Sequence, residues 1–278
     1  MMKKILMIAA VALALASCSK TENQQDADEK AKTSEFRTET IDKKCLLTLP
    51  DSVNFYGKGS KVFTRVQASI CWPVTIGGKE PRELQDSILS IAFAEQKDST
   101  LTASLSRLAS TPVGFEDEKE GVKMTDVKTV PAASETVHVH TTEVTATPTM
   151  INDRLLTYRI DSYSFLGGAH GYGMSQYVNY DIKGEKVLTV GRVFADVQGL
   201  KTAIMRSLQM NQDNAGMLLV DSVPSVGNFY VDGALITFVY NPYEVACYAA
   251  GQVTVQLPLY EVRDYMSDYG KKLFPVEE

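Results

Sequence analysis

The sequence predicts an α+β fold, mostly antiparallel sheet with a helix packed in each half. Three observations lead there. Runs rich in Val, Ile, Thr and Tyr alternate apolar with polar residues, as in Val62–Val74, which is the period of a half-buried strand. Apolar residues recur at helical spacing in two internal stretches, one after Pro81 and one after Asp196. Strand-like segments otherwise follow one another directly, without a repeating strand–helix–strand rhythm.

The chain opens on a signal sequence. Lys3 and Lys4 precede an apolar run of 12 residues, Ile5–Ala16. That is shorter than the ~20 residues needed to span a bilayer and suits a signal peptide over residues 1–17. The run ends in Leu15-Ala16-Ser17-Cys18, which resembles a bacterial lipobox. Cys18 is then the lipid-attachment residue, carrying palmitate-type acyl chains, and the partner it implies is a membrane. Ser19 after the cysteine points to an outer membrane. Ser19–Glu35 holds no large apolar residue and cannot bury enough surface to order itself. Residues 18–37 therefore read as a tether, with a mean span of roughly 20–25 Å.

A first domain is expected over residues 38–165. Cys45–Leu49 is a short strand stopped by Pro50, and Val62–Val74 a longer one. Val62, Thr64, Val66, Ala68 and Ile70 share one face of the latter. Pro81 starts a helix whose stripe is Leu84, Ile88, Ile91 and Ala92. The charged stretch 114–126 reads as an exposed loop. Glu135–Thr145 and Leu155–Tyr163 form a strand pair across a turn at Asn152-Asp153.

A second domain is expected over residues 166–278. Its elements are a strand Met174–Ile182, a turn at Lys183-Gly184 and a return strand Lys186–Val190. Asp196 caps a helix with Val197, Leu200, Ile204 and Leu208 on one face. Phe229–Val231 and Ala234–Tyr240 flank Asp232-Gly233, a tight-hairpin signal. Asn241-Pro242 ends the hairpin. Gln252–Leu259 is a last strand and Tyr260–Leu273 an amphipathic tail helix.

The 278 residues carry 28 basic and 34 acidic side chains, a formal charge of −6. Loss of Lys3 and Lys4 with the signal leaves 26 basic residues and a charge of −8. Nucleic-acid binders need a basic face, so nucleic acid is excluded as a partner. A cationic partner is favoured through its on-rate; plain solubility is the alternative. Cys45, Cys71 and Cys247 remain beside Cys18. A Cys45–Cys71 disulfide is the candidate pair in an exported protein, against free buried thiols.

Glycine marks the centre of the chain. Tyr163-Ser-Phe-Leu-Gly-Gly-Ala-His-Gly-Tyr172 holds Gly167, Gly168 and Gly171, and one of the three histidines, His170. This reads as a corner joining the two halves. Two further motifs follow: Asn179-Tyr-Asp-Ile-Lys-Gly-Glu-Lys-Val-Leu-Thr-Val, and Phe238-Val-Tyr-Asn-Pro-Tyr-Glu-Val-Ala-Cys-Tyr-Ala-Ala-Gly251. Together the three resemble the extracytoplasmic module of RsiV-type anti-sigma factors and of the amino-terminal part of PdaC-type peptidoglycan deacetylases. Cys247 stands where the resemblance places a proline. The resemblance implies paired domains over roughly residues 40–265 and an envelope ligand, a lysozyme-like protein or a cell-wall glycan. The sequence shows neither an anti-sigma segment nor the deacetylase motifs, so the expectation is the module alone on a lipid anchor.

Candidate site residues are few. His170 could serve as a base in an envelope hydrolase or deacetylase, with Asp181 or Glu244 as partner. No Gly-x-Ser-x-Gly or His-Glu-x-x-His accompanies it, and no catalytic residue is assigned. The competing role is structural, its imidazole bonding neighbouring backbone. His138 and His140 lie at i, i+2 on a strand and share a face. They read as facing water, opposite Val137 and Val139, and would hold a metal only with a third ligand. No metal or cofactor is expected. Of 13 tyrosines, 12 lie between Tyr158 and Tyr269. Tyr172, Tyr177, Tyr243 and Tyr248 sit near the motifs and could bind a ligand through ring and hydroxyl, or serve the sheet. Gly167, Gly168, His170, Gly171, Asn241, Pro242 and Tyr243 are the structural motif residues. The function read from all this is non-enzymatic binding of an envelope ligand; a purely structural envelope component is the other alternative.

Overall fold

The computed structural model describes residues 34–115, 121–211 and 216–275. The signal sequence, Cys18 and nearly all of the tether lie outside the described residues. Strands belong to a seven-stranded mixed sheet and a three-stranded antiparallel sheet, with helices added, an α+β fold. Two compact units form. Among the described residues, one comprises those up to Pro148 with Ile160–Tyr172; the other comprises Thr149–Arg159 with those from Gly173 onward. The glycine corner Gly167–Gly171 belongs to the first.

The first unit is built on β1 (Glu35–Thr48) and β2 (Lys61–Thr75). They pair antiparallel from Phe36 opposite Pro73 to Leu47 opposite Val62. β1 is longer than the expected Cys45–Leu49. Its first ten residues carry no strong apolar alternation, and the backbone ladder to β2 is what makes them a strand. The predicted face of β2 holds: Val62, Thr64, Val66, Ala68 and Ile70 are all buried. α1 (Arg82–Phe93) buries Leu84, Ile88, Leu89, Ala92 and Phe93, while Ile91 is half-buried. α2 (Leu101–Ala109) is capped by Thr100, which accepts from the Ala103 N–H at 3.2 Å. α2 packs on α1 and on both β1 and β2. β3 (Lys123–Asp126) pairs with β1, so the end of the expected loop is an edge strand.

The two helices also let the chain return in the same direction. β4 (Val137–Ile151) runs parallel to β2, with Val62 beside His138 and Thr64 beside His140. Parallel neighbours need such a crossover, so one parallel pair enters a sheet read as antiparallel. β5 (Leu155–Phe165) follows β4 across a turn in which Asn152 Oδ1 accepts from the Arg154 and Leu155 amides.

The second unit takes the turn end of β4 and β5, then β6 (Tyr172–Asp181, from Gly173 on) and the short β7 (Lys186–Val187). The expected return strand stops at Val187, and its last residue, Val190, opens α3 (Val190–Val193) instead. α4 (Val197–Met210) is capped as expected, Asp196 accepting from the Gly199 N–H at 2.8 Å. It buries Leu200, Ile204 and Leu208 against Phe194, Phe229, Ile236 and Phe238. β8 (Phe229–Asp232), β9 (Leu235–Tyr240) and β10 (Val253–Pro258) form the three-stranded sheet. Asp232 pairs with Leu235, so the hairpin turns at Gly233-Ala234, one residue later than read. The expected tail helix breaks into α5 (Leu259–Val262), a 3-10 turn and α6 (Asp268–Leu273). Extended Met266 bridges Phe194 there, and Ser267 caps α6. No helix of the described residues is long and apolar enough to cross a membrane.

Candidate functional site

In the first unit the glycine motif meets a cluster of rings. His140 is buried, 1% exposed. Its Nδ1 lies 2.8 Å from the Val113 carbonyl and its Nε2 2.7 Å from the Tyr56 hydroxyl. A carbonyl only accepts, so Nδ1 carries the proton and neutral Nε2 accepts from Tyr56. The Tyr56 oxygen also lies 3.3 Å from the Leu166 carbonyl, the residue before the glycines. Burial raises the Tyr56 pKa above the usual tyrosine value, which keeps that donor protonated. The Tyr56 ring stacks on His138 at 3.7 Å, and Phe115 stacks on His140 at 5.5 Å.

The solvated-face reading of His138 and His140 is therefore corrected. The parallel register places them on the same face as buried Val62 and Thr64. Further along β4 that face continues through Val144 and Ala146, both buried. Among the described residues no group of three metal-ligating side chains forms.

The glycines allow close approaches. Gly167 and Gly168 adopt φ of +92° and +91°, a region that side chains disfavour. A Cβ on Gly171 would collide with the hydroxyl end of the Tyr163 ring. A Cβ on Gly114 would stand 2.5 Å from His140 Nδ1. His170 is exposed and its Nδ1 lies 3.1 Å from the Gly171 carbonyl, so it donates to adjacent backbone.

In the second unit the Asn-Pro-Tyr motif forms a tight loop after β9. Asn241 is buried; its Oδ1 accepts from the Ser175 N–H at 2.8 Å and from Gln252 Nε2 at 3.3 Å. Glu244 folds back to accept from the Asn241 N–H at 2.8 Å. Tyr243 donates its amide to the Ala246 carbonyl and sits at φ +71°. For a bulky residue that backbone costs roughly 1–2 kcal/mol. Tyr243 is nonetheless 53% exposed, its ring 5.7 Å from that of Tyr248. The next segment joins the loop: the Leu219 amide donates to Val245 O and the Cys247 amide to Met217 O. Met217 and Leu219 are also exposed, at 36% and 59%. The result is an apolar and aromatic patch on a loop whose backbone is fixed by a buried amide.

The remaining candidates are placed separately. Asp181 is buried and accepts from the Tyr269 hydroxyl at 2.7 Å and the Lys183 N–H at 3.1 Å. Tyr172 is partly exposed at the start of β6. Tyr177 pairs with Tyr230 at 4.6 Å. Cys45 and Cys71 stand on adjacent strands but out of register: Cys45 faces Thr64, and Cys71 faces Thr38. Seven residues of offset is about 23 Å at the strand rise, far beyond disulfide reach, and both are free thiols. Sequence reading missed Tyr56, Phe115 and the Met217/Leu219 pair. Tyr56, the one tyrosine outside the Tyr158–Tyr269 group, lies 84 residues from His140, and no spacing rule reaches that far.

Residues 198–260 match the family model described as "Protein of unknown function (DUF3298)". That segment contains the Tyr243 loop and the three-stranded sheet. Two solved structures share the fold. A DUF3298 family member from Bacteroides fragilis aligns with TM-score 0.58 and 18% identity, over 87% of this chain and 97% of its own. A DUF3298 family protein from Pseudomonas aeruginosa PAO1 aligns with TM-score 0.52 and 16% identity, over 87% and 98%. Among curated proteins none matches the chain. These likenesses show the fold; DUF3298 carries no assigned activity.

Proposed function

We propose that this chain is a lipid-anchored envelope protein that recognises a partner through the Tyr243 loop and performs no covalent chemistry. The observation that carries the reading is Tyr243 itself: an exposed ring on strained backbone at φ +71°. Strain of this kind collects at ligand-binding positions, and a rigid exposed aromatic is a good anchor in an interface. Tyr248, Met217 and Leu219 enlarge the patch. The partner favoured is a cationic, lysozyme-like protein. The formal charge of −8 without the signal steers such a partner, and the resemblance to RsiV-type modules points the same way. Cys18 anchors the body to the outer membrane in this reading.

The test uses residues 19–278 and lysozyme, measured by calorimetry at low and high salt. Support is saturable binding that weakens with salt and falls in Tyr243→Ala. No lysozyme binding at low salt, or full binding by Tyr243→Ala, sinks the reading. Binding to purified peptidoglycan instead would move the ligand to the glycan. Fatty-acid labelling of the full-length protein, lost in Cys18→Ala, tests the anchor.

A further inference from the structure

The large sheet leaves one long stretch of backbone edge uncovered in the first unit. β3 pairs with β1 only from Cys45 to Thr48, and the Val127 amide adds one bond to the Lys44 carbonyl at 3.0 Å. That last bond fixes the direction of the edge. Backbone groups alternate in side along a strand, so Phe36, Thr38, Thr40 and Asp42 turn theirs the same way as Lys44, away from β2. Among the described residues no strand pairs with β1 on that side before Lys44. We infer that this edge pairs with the same edge of a second copy of the chain, antiparallel, with Thr38 opposite Thr38 on a two-fold axis.

The residues on the edge select that partner. An open edge is a template for another strand, and proteins commonly blunt it with lysine, proline or a very short strand. Phe36–Ile41 holds no lysine and no proline and belongs to a strand of 14 residues. Its charges between Phe36 and Ile41 are Arg37 and Glu39, which share a face. With Thr38 on the axis, each Arg37 stands opposite the second copy's Glu39, and each Phe36 opposite the second copy's Thr40. The strand is thus its own electrostatic complement.

The same residues select the register. A shift of one residue would set outward backbone groups against inward ones and flip the faces. A shift of two residues would put Arg37 opposite Arg37 in one direction and Glu39 opposite Glu39 in the other. Like charges directly opposite destabilise a strand pair. Within the strand Arg37 and Glu39 already form an ion pair at 2.9 Å, and Glu39 accepts from Thr102 Oγ1 at 3.1 Å. Neither group is exhausted by this, because a guanidinium carries about five N–H donors and a carboxylate accepts about four bonds. Self-pairing closes the two ion pairs into a ring of alternating charge. The pairs Phe36–Thr40, Thr38–Thr38 and Thr40–Phe36 exchange about six backbone hydrogen bonds. A contact of this size belongs to the weak, transient class.

The experiment is sedimentation velocity on residues 19–278 over roughly 10 µM to 1 mM, the range in which weak association shows, with deuterium exchange at both ends of the range. The expected result is a monomer that becomes a dimer, with slower exchange of the Phe36, Thr38 and Thr40 amides in the dimer. Thr38→Pro should abolish association without disturbing the pairing to β2, since the lost N–H faces outward. Arg37→Glu alone and Glu39→Arg alone should each associate about tenfold more weakly, because each sets like charges across the axis. An equimolar mixture of those two variants should restore association, and so should the double exchange Arg37→Glu with Glu39→Arg. Native unfolding midpoints are checked first; the concentration-dependent exchange of the unaltered protein decides the matter if a variant fails to fold. A monomer at every concentration, undiminished association in Thr38→Pro, or a mixture no stronger than its components overturns the inference. Slow exchange of these amides only after another protein is added would assign the edge to a foreign strand and overturn it as well. Tyr243→Ala should leave self-association unchanged, so failure here and failure of the lysozyme reading are separable.

Discussion

The Tyr56 hydroxyl sits 2.7 Å from Nε2 of His140, a histidine that is 1% exposed and donates through Nδ1 to Val113. His138, two residues away on the same face, differs: its Nε2 is buried without a protein hydrogen-bond partner, and its ring only stacks on Tyr56. The two histidines should therefore respond oppositely to one substitution. His140→Phe strands the Val113 carbonyl, leaves the Tyr56 hydroxyl only the Leu166 carbonyl 3.3 Å away, and should cost about 1–3 kcal/mol. His138→Phe keeps the stack, removes an unsatisfied nitrogen, and should be neutral or stabilising. Urea unfolding of both variants checks this. Equal destabilisation would mean the hydrogen bonds contribute nothing beyond packing.

Strain at Tyr243 separates stability from binding. Tyr243→Ala and Tyr243→Asn both remove the exposed ring, but alanine keeps a Cβ at φ +71° without asparagine's tolerance of that region. Asn should unfold about 0.5–1 kcal/mol later than Ala, while both lose partner binding to the same degree. Thermal unfolding and calorimetry on the two variants read the two effects apart. If Asn and Ala are equally stable, the backbone there is relaxed, and the strain argument for the site fails.

Periodicity made part of this protein legible and register hid the rest. The buried face of β2, the cap at Asp196 and the stripe of α4 are local patterns, and each holds. The histidine face of β4 was misread because Val137 and Val139 are the more apolar residues at its start. Parallel pairing with β2 decides the face instead, and that contact joins residues about 76 apart, such as Val62 and His138. α2 had a readable signal in Thr100 followed by Leu101, Leu105 and Leu108. β3 had none, because four mostly exposed residues form a strand only where β1 offers its edge. The Tyr243 loop was visible as a motif, but its strain was not, since φ is set by the Asn241 and Glu244 hydrogen bonds.

The thiols should stay reduced and unequal. Burial pushes the Cys45 pKa up, Lys43 pulls the other way, and Asp126 adds to the rise. Its Sγ lies 3.6 Å from Asp126 Oδ1. A thiol that resists ionisation is a poor nucleophile. Cys45 should label with a maleimide at least about tenfold more slowly than Cys71 or Cys247, both half-buried. Native-state labelling followed by peptide mass mapping measures this. A Cys45–Cys71 linked peptide in unreduced protein would contradict the strand register.

The Tyr269–Asp181 hydrogen bond sets an alkaline limit on the second unit. Tyr269 donates to Asp181 Oδ2 at 2.7 Å. Its pKa is raised strongly, first by burial, then by that hydrogen bond and the aspartate charge, against the opposing pull of Arg192 and Arg154. Tyr240 is raised too, by burial and then by Glu244. In the unfolded chain both titrate near pH ~10. A group whose folded pKa is raised contributes fully below its unfolded pKa and loses that contribution as pH climbs toward the folded value. Stability should thus be insensitive to these tyrosines at pH 7–9 and fall steadily above about pH 10. Tyr269→Phe should lower stability at pH 8 by about 1 kcal/mol or more, and should flatten the decline above pH 10. Urea unfolding of the two proteins from pH 8 to 11 gives both slopes. Parallel curves would show that the phenol titrates no differently folded than unfolded.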